Sequence, residues 1–169
     1  FCGLMLTSSG PKLIEYNVRF GDPECQVLME LLDSDLAELL LAAARGALQG
    51  CTARWKPGVA AVVVVAARGY PGTPARGGHI DLDGAEADGA AVLHAGTALD
   101  EAGRLVANGG RVLGVVGRGA TVAEATALAY AAIKRISFAD GFCRADIGWR
   151  EIARERGDGQ DNARTGDAD

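Results

Sequence analysis

The sequence lacks several features that mark common classes of protein. Aromatic residues make up only 5% of the 169 residues, so we expect a core of aliphatic side chains. No apolar run reaches the roughly 20 residues of a transmembrane helix, so we expect no membrane-spanning segment. Basic residues do not cluster, and 17 of them stand against 22 acidic ones, for a net charge of −5. This balance argues against nucleic-acid binding.

Two further absences concern chemistry. The four cysteines, at positions 2, 25, 51 and 143, form no C-x-x-C pair. We therefore expect free, packed thiols and neither zinc binding nor redox chemistry. No G-x-x-x-x-G-K-[ST] segment is present, which excludes a phosphate-binding loop of that kind.

The residues that can carry chemistry lie close together in the segment EYNVRFGDPE, residues 15–24. An extended strand over residues 12–19 would place Glu15, Asn17 and Arg19 on one face. A carboxylate and an amide oxygen at this spacing can share a hard divalent cation such as Mg²⁺, and a guanidinium can clamp a phosphate or carboxylate. The opposite face would then enter a core through Ile14, Tyr16 and Val18.

The turn after this strand strengthens the functional interpretation. Gly21 relieves backbone strain, and Pro23 suits the first position of a helix. The strand would therefore run directly into a helix N-terminus, which attracts anions. A solvent-exposed strand with a surface ion pair shows the same alternation of polar residues, so the E-x-N-x-R triplet alone leaves both interpretations open.

The remaining pattern predicts an α+β fold. After Pro23, apolar residues at helical spacing are interrupted at residues 33–35, where Asp35 and Glu38 have the spacing of a capping box, and Gly46 suits the end of a second helix. From residue 57 onward the pattern is mainly that of strands. These are expected at residues 59–67, 79–82, 91–94, 105–106 and 111–116, followed by a helix from a capping box at 121–124 to about residue 135.

Several segments together resemble the glycinamide ribonucleotide synthetase family, also called phosphoribosylamine–glycine ligases. The E-x-N-x-R triplet is shared by many ATP-grasp enzymes, but its GDPE extension narrows the match. The other segments, in the order of the family, are GLMLT (3–7), GYPG (69–72), HAGT (94–97), NGGRVLGV (108–115) and RADIG (144–148). The resemblance implies the C-terminal part of an ATP-grasp domain over residues 1–56 and a compact β-rich C-terminal domain with one or two helices over 57–150. Residues 151–169, poor in apolar side chains, are expected to be a disordered tail.

The resemblance also implies a reaction and its residues. ATP would phosphorylate glycine to glycyl phosphate, which 5-phosphoribosylamine attacks to give glycinamide ribonucleotide. Glu15 and Asn17 would hold Mg²⁺ or Mn²⁺, Arg19 would steady the phosphoryl group or the glycine carboxylate, and Asp22 would orient Arg19 or the amine. Many ATP-grasp enzymes carry another acidic metal ligand on the preceding strand, where this chain has Gly3. A further ligand would then come from elsewhere.

Other implications of the resemblance concern the setting of the reaction. The partners would be ATP, glycine and 5-phosphoribosylamine in the cytoplasm. Cys25 and residues 149–153 look similar to the animal branch, in which further purine-pathway modules share the polypeptide. The family's nucleotide-binding half would precede residue 1, so the chain alone is expected to be inactive.

A carboxylase-type ATP-grasp fragment and a noncatalytic product that acts by interactions remain alternatives. His94 is expected to be structural, while Arg111 could reach an anionic substrate.

Overall fold

The computed structural model describes residues 2–157 and shows a mixed α/β fold. The strands are β1 (Cys2–Thr7), β2 (Gly10–Tyr16), β3 (Val59–Ala67), β4 (Ala91–His94), β5 (Thr97–Leu99), β6 (Leu105–Ala107), β7 (Arg111–Gly119) and β8 (Gly141–Phe142). The helices are α1 (Glu24–Leu31), α2 (Leu36–Ala44), α3 (Val122–Ile133) and α4 (Trp149–Glu155). This architecture confirms the predicted fold class.

The centre of the fold is a four-stranded antiparallel sheet in the order β4-β7-β3-β8. Its long strands, β3 and β7, are rich in Val and Ala, and β-branched side chains favour strands. α3 packs against both strands and closes the core. The core is aliphatic, as the low aromatic content predicts, and its fully buried large side chains are Leu113, Val63, Val112, Val115 and Val116.

Close approach between β7 and α3 depends on glycine. A Cβ built on Gly117 would lie 2.1 Å from the backbone oxygen of Ala125 and 2.7 Å from the backbone nitrogen of Ala129. Thr121 begins the helix, and its hydroxyl accepts a hydrogen bond from the backbone N–H of Glu124 at 3.2 Å. The predicted cap at Thr121 is therefore confirmed, although α3 ends at Ile133, short of residue 135.

The first 56 residues attach to the sheet through α1, which packs against β3 and β7. Lys56 also donates from Nζ to the backbone oxygen of Glu30 at 3.0 Å. The predicted interruption before α2 is confirmed, because Asp35 caps α2 by accepting from the backbone N–H groups of Ala37 and Glu38. Gly46 follows α2 with a φ of 66°, the left-handed conformation that commonly ends a helix.

The strand predicted over residues 12–19 is wrong at its C-terminal end. β2 pairs with β1 as an antiparallel hairpin and stops at Tyr16, whose partner is Cys2, the first described residue. The partner strand thus supplies no pairing beyond this point in the described chain. The predicted burial of the apolar face is also wrong here, since Ile14, Tyr16 and Val18 are 64%, 71% and 103% exposed.

Other differences have local physical reasons. Residues 79–82 form no continuous strand, because His79 bridges Val106 whereas Asp81 bridges Ser137. Pro23 is the residue before α1 and not its first position. The short strands β5 and β8 were not predicted.

The predicted disordered tail is wrong for its first residues. α4 extends through Glu155, whose carboxylate accepts hydrogen bonds from the backbone N–H groups of Val122 and Ala123 at 2.8 and 3.3 Å. The C-terminal end of α4 is thus held at the N-terminus of α3, where a negative charge is favourable. Residues 158–169 lie outside the described residues. None of the helices in the described part is long and apolar enough to cross a membrane.

Candidate functional site

Glu15 and Asn17, the predicted metal ligands, lie side by side at the end of β2. The Asn17 side chain donates from Nδ2 to Oε1 of Glu15 at 2.9 Å. Gly3 pairs with Glu15 across the hairpin, and a Cβ at Gly3 would lie 3.1 Å from Cγ of Glu15. The lack of a side chain at Gly3 therefore leaves space for the side chain of Glu15.

The donor set of this pair fits a hard divalent cation. The pair brings one carboxylate and one amide side chain into direct contact. Mg²⁺ commonly binds through one or two protein carboxylates, with water and phosphate oxygens completing its octahedron. Within residues 2–157, no group of three or more His, Cys, Asp and Glu side chains is arranged to hold a metal.

Arg19 lies beyond the strand, so the prediction that it shares a strand face with Glu15 and Asn17 is wrong. Its Nη1 donates to the backbone oxygen of Phe20, the next residue in the chain, at 3.1 Å. The structure therefore brings the two predicted metal ligands together but places Arg19 on the irregular stretch that leads to the turn.

Glu24 stabilises that turn, a role that sequence reasoning missed. Its Oε2 accepts from the backbone N–H of Gly21 at 2.9 Å, and a Cβ on Gly21 would lie 2.3 Å from the same oxygen. The backbone N–H of Cys25 also donates to the oxygen of Gly21 at 2.9 Å. The GDPE segment is thus a closed turn in which a side chain at Gly21 would displace that of Glu24, and the signal was the acid three residues after that glycine.

Asp22 projects from this turn to Arg111, 89 residues further along the chain. Nη2 of Arg111 donates to Oδ2 of Asp22 at 2.5 Å, with the two side chains 39% and 61% exposed. A bulge in the central sheet contributes to this placement. The pairing of β3 with β7 shifts after Val65, so that Ala66 pairs with Arg111. Bulges re-aim side chains, and this one sets Arg111 at the sheet margin that faces the turn.

Glycines of the HAGT and NGGR segments lie close together beside Arg111. A Cβ on Gly96 of HAGT would lie 2.7 Å from Cα of Gly109 of NGGR, and the backbone N–H of Gly96 donates to the oxygen of Arg111. His94 contacts Thr97 through Nδ1 and Oγ1 at 3.1 Å. These motifs therefore pack against each other at the base of Arg111, and the interpretation of residues 109–110 as a tight turn into a strand agrees with this geometry.

Arg111 borders two clefts. One, of about 240 Å³, has mainly apolar walls and includes Pro23, Tyr70 and Arg144. The other, of about 200 Å³, is lined by Asp22, Gln26, Val64, Ala95, Arg111, Leu113 and Gly114. Oε1 of Gln26 is buried and has no hydrogen-bond partner. Sequence reasoning did not single out Gln26, because a lone amide in a helical pattern carries no signal of its own.

The RADIG segment forms a rigid wall of the larger cleft. Arg144 binds both carboxylate oxygens of Asp146, at 2.8 and 2.6 Å. This hydrogen bond lowers the pKa of Asp146 below its usual range. The hydroxyl of Tyr130 donates to the backbone oxygen of Arg144 and accepts from the backbone N–H of Ile147. Next to this wall, burial raises the pKa of the Cys143 thiol, as expected for a packed cysteine.

Comparison with known proteins identifies the family to which this fold belongs. Residues 60–150 match the family model "Phosphoribosylglycinamide synthetase, C domain", and residues 1–25 match "Phosphoribosylglycinamide synthetase, ATP-grasp (A) domain". The match to the C domain spans more than half of the chain. The chain belongs to the phosphoribosylglycinamide synthetase family, which confirms the resemblance drawn from its motifs.

Individual relatives carry the name of the ligase. The chain is 59% identical over 157 residues to the phosphoribosylamine–glycine ligase of Mesorhizobium japonicum, covering 92% of this chain and 37% of the relative. It is 52% identical over 161 residues to the chloroplastic enzyme of Arabidopsis thaliana, covering 92% and 30%. The chain therefore spans about a third of the length of these curated relatives.

A solved structure supports the fold independently. The crystal structure of phosphoribosylamine–glycine ligase from Thermotoga maritima superposes with a TM-score of 0.68 at 37% sequence identity. The match covers 86% of this chain and 35% of that one. The similarity thus includes most of both predicted segments, 1–56 and 57–150, although the boundary between them stays a prediction.

Proposed function

We propose that this chain contributes part of the active site of an ATP-dependent ligase that joins glycine to 5-phosphoribosylamine. The observation that carries the proposal is the hydrogen-bonded pair of Glu15 and Asn17, held opposite Gly3 in a chain of this family. Relatives of this sequence are named phosphoribosylamine–glycine ligases. The proposed products are glycinamide ribonucleotide, ADP and phosphate, in the pathway of purine synthesis.

The proposed reaction has two steps. A carboxylate oxygen of glycine attacks the γ-phosphorus of ATP, and the bond from that phosphorus to the β-γ bridging oxygen breaks to release ADP. The amine of 5-phosphoribosylamine then attacks the carbonyl carbon of glycyl phosphate. The C–O bond breaks, phosphate leaves with an oxygen that came from glycine, and the nitrogen loses a proton. The protein's contribution to such transfers is mainly alignment and neutralisation of charge.

The residues of the chain have distinct parts in this proposal. Glu15 and Asn17 would hold Mg²⁺ or Mn²⁺, which when bound neutralises phosphate charge. Arg19 follows this pair directly and carries a guanidinium suited to phosphate or carboxylate oxygens. Asp22 would orient Arg19 or the amine, and its ion pair with Arg111 would also hold that guanidinium in place. The guanidinium of Arg111 would then be a further group able to bind an anionic substrate.

The wider setting is part of the same proposal. Because the chain spans about a third of the length of these relatives, the nucleotide-binding parts would come from sequence beyond it, and the cytoplasm is the expected location. The exposed apolar side chains of the β1–β2 hairpin support the need for a further layer, since large contiguous apolar patches are uncommon on monomers. The most exposed of these are Leu6, Ile14 and Tyr16.

An isotope experiment tests the proposed reaction. The complete ligase that carries this sequence would be incubated with ATP, 5-phosphoribosylamine and glycine labelled with ¹⁸O in its carboxylate. The two-step reaction transfers one labelled oxygen to each phosphate released. Glycinamide ribonucleotide formed with unlabelled phosphate would exclude glycyl phosphate, and absence of the product would exclude the ligase.

A further inference from the structure

Tyr70 of the GYPG segment lies against the backbone that carries Arg111. A Cβ built on Gly110, the residue before Arg111, would lie 2.5 Å from Cδ2 and 3.2 Å from Cε2 of Tyr70. The ring therefore occupies the space that a side chain at position 110 would need. Tyr70 is 40% exposed and lines the larger, mainly apolar cleft together with Arg111. The two residues are thus neighbours in the cleft as well as along the main chain.

Main-chain contacts fix Tyr70 in this position. Its backbone N–H donates to the oxygen of Ala67 at 3.1 Å, and the N–H of Ala67 donates to the oxygen of Gly110 at 2.8 Å. The loop that begins here is compact, because a Cβ on Gly69 would lie 2.2 Å from the backbone oxygen of Thr73. The place of the ring beside Gly110 is therefore set by the loop and not by the Tyr70 side chain alone.

The ion pair with Asp22 holds Arg111 only weakly by itself. Both side chains are partly exposed, and water screens the attraction between such groups. An arginine side chain has many rotamers, and the entropy lost on fixing it exceeds the free energy that an exposed ion pair commonly supplies. Packing around Arg111 must therefore contribute to the orientation of its guanidinium. Tyr70 is placed to supply such packing from the side of the larger cleft.

We propose that Tyr70 is a positioning residue for Arg111, whose guanidinium it keeps turned towards Asp22. The ring packs against the main chain before Arg111, while the backbone N–H of Gly96 donates to the oxygen of Arg111 at 2.9 Å. Loss of the ring would let the guanidinium turn into the larger cleft. This role rests on the proposed ligase function, in which Arg111 binds an anionic substrate, and it gives the GYPG segment a part in placing that cation.

Substitutions at Tyr70 test this role in the complete ligase, where the KM values of glycine and 5-phosphoribosylamine are compared with those of Arg111→Gln. Tyr70→Ala should raise the same KM that Arg111→Gln raises, by roughly 10-fold, because a small misplacement of a binding group is costly. The KM for ATP should stay unchanged. Tyr70→Phe should keep the wild-type values, since the contact atoms are ring carbons. The matched control is Trp149→Ala, the same loss of a ring at a half-exposed residue of α4, which should change neither KM.

Two combinations of substitutions separate positioning from a general effect on the fold. Gly110→Ala adds a methyl group that meets the ring of Tyr70, so it should raise the same KM. In a Tyr70→Ala background this clash is gone, and Gly110→Ala should have no further effect. Tyr70→Ala combined with Arg111→Gln should likewise be no worse than Arg111→Gln alone, because the guanidinium that Tyr70 positions is already absent.

A crystal structure of Tyr70→Ala gives a readout that does not depend on activity. The distance between Nη2 of Arg111 and Oδ2 of Asp22 should lengthen beyond hydrogen-bonding range, whereas it should be kept in Tyr70→Phe. An unmoved pair in Tyr70→Ala overturns the inference. If the pair separates but the wild-type ligase forms no product, Tyr70 does position Arg111 and the ligase proposal fails.

The kinetic outcomes that contradict this role are equally specific. Additive effects of Tyr70→Ala and Arg111→Gln, or equal impairment of Tyr70→Phe and Tyr70→Ala, would overturn it. So would wild-type KM values in Tyr70→Ala, an equal rise in Trp149→Ala, or an Arg111→Gln variant in which neither KM changes.

Discussion

Asp22 and Arg111, 89 residues apart in sequence, form an ion pair between the turn before α1 and the first residue of β7, with Oδ2 and Nη2 at 2.5 Å. The pair links the segment that carries Glu15 and Asn17 to the central sheet. It also sets a carboxylate and a guanidinium on the rim of a cleft. Its main effect should therefore be on the site and not on stability.

A double-mutant cycle of Asp22→Asn and Arg111→Gln tests whether the ion pair acts on the site or on the stability of the fold. Both side chains are partly exposed, so their coupling in the free energy of unfolding should be at most about 1 kcal/mol. The glycine KM should instead rise in each single variant, and the double variant should be less impaired than the sum of both. Urea unfolding and steady-state kinetics on the complete ligase measure the two quantities. A coupling of several kcal/mol with unchanged KM would mean a structural pair only.

Gly117 should be essential to the packing of α3 on β7. Its Cβ would lie 2.1 Å from a backbone oxygen of α3, so Gly117→Ala must push the helix away and should destabilise the fold by about 1–3 kcal/mol or more. Gly114 on the same strand is the matched control, because its Cβ would meet only Cγ2 of Val62 at an ordinary 3.5 Å. Thermal unfolding of both variants measures the difference. Equal melting temperatures would contradict the close approach.

Asp146 should remain ionised at unusually low pH. Its hydrogen bond from Arg144 lowers its pKa in the folded protein. The stabilising contribution is thus complete above the unfolded pKa of about 3.9 and is lost as the pH falls through the lower folded value. An NMR titration of the side-chain carboxyl carbon should give a midpoint below about 3.9, and Arg144→Gln should raise it. Arg150→Gln, which alters a neighbouring arginine, should leave it unchanged, and a normal midpoint in wild type would contradict the pairing.

The elements that could be predicted from sequence are those specified by local patterns. The apolar run of β3 and the caps at Asp35 and Thr121 were placed correctly because burial and capping depend on neighbouring residues. The neighbouring positions of Glu15 and Asn17 were also predicted, although β2 ends at Tyr16 and Asn17 lies one residue beyond it. That part of the site is local.

The remaining features depend on contacts between distant residues. The order in α4 follows from the contact of Glu155 with α3. The Asp22–Arg111 pair requires a bulge between β3 and β7, which no pattern in either strand predicts. Tyr70 becomes a candidate only once its contact with Gly110 is known.

The 169-residue chain by itself should have no ligase activity and should self-associate. Its β1–β2 hairpin exposes apolar side chains, with Leu6 at 82% and Tyr16 at 71%, and Glu15 with Asn17 alone should bind Mg²⁺ weakly. Size-exclusion chromatography should show oligomers of the whole chain, whereas residues 57–148 should fold as a monomer. Calorimetry should detect no tight binding of ATP with Mg²⁺. Micromolar nucleotide affinity in a monomeric whole chain would contradict this expectation.

The most direct test of the account is the activity of Glu15→Gln in the complete ligase. The substitution preserves the shape of the side chain but removes the charge that a divalent cation requires, so glycine-dependent ADP release should fall roughly 100-fold or more at saturating Mg²⁺. Circular dichroism should show an intact fold. Glu101→Gln, at an exposed acid in the turn between β5 and β6, should retain full activity. Activity of Glu15→Gln within a factor of two of wild type would remove Glu15 from the metal site and contradict the central claim.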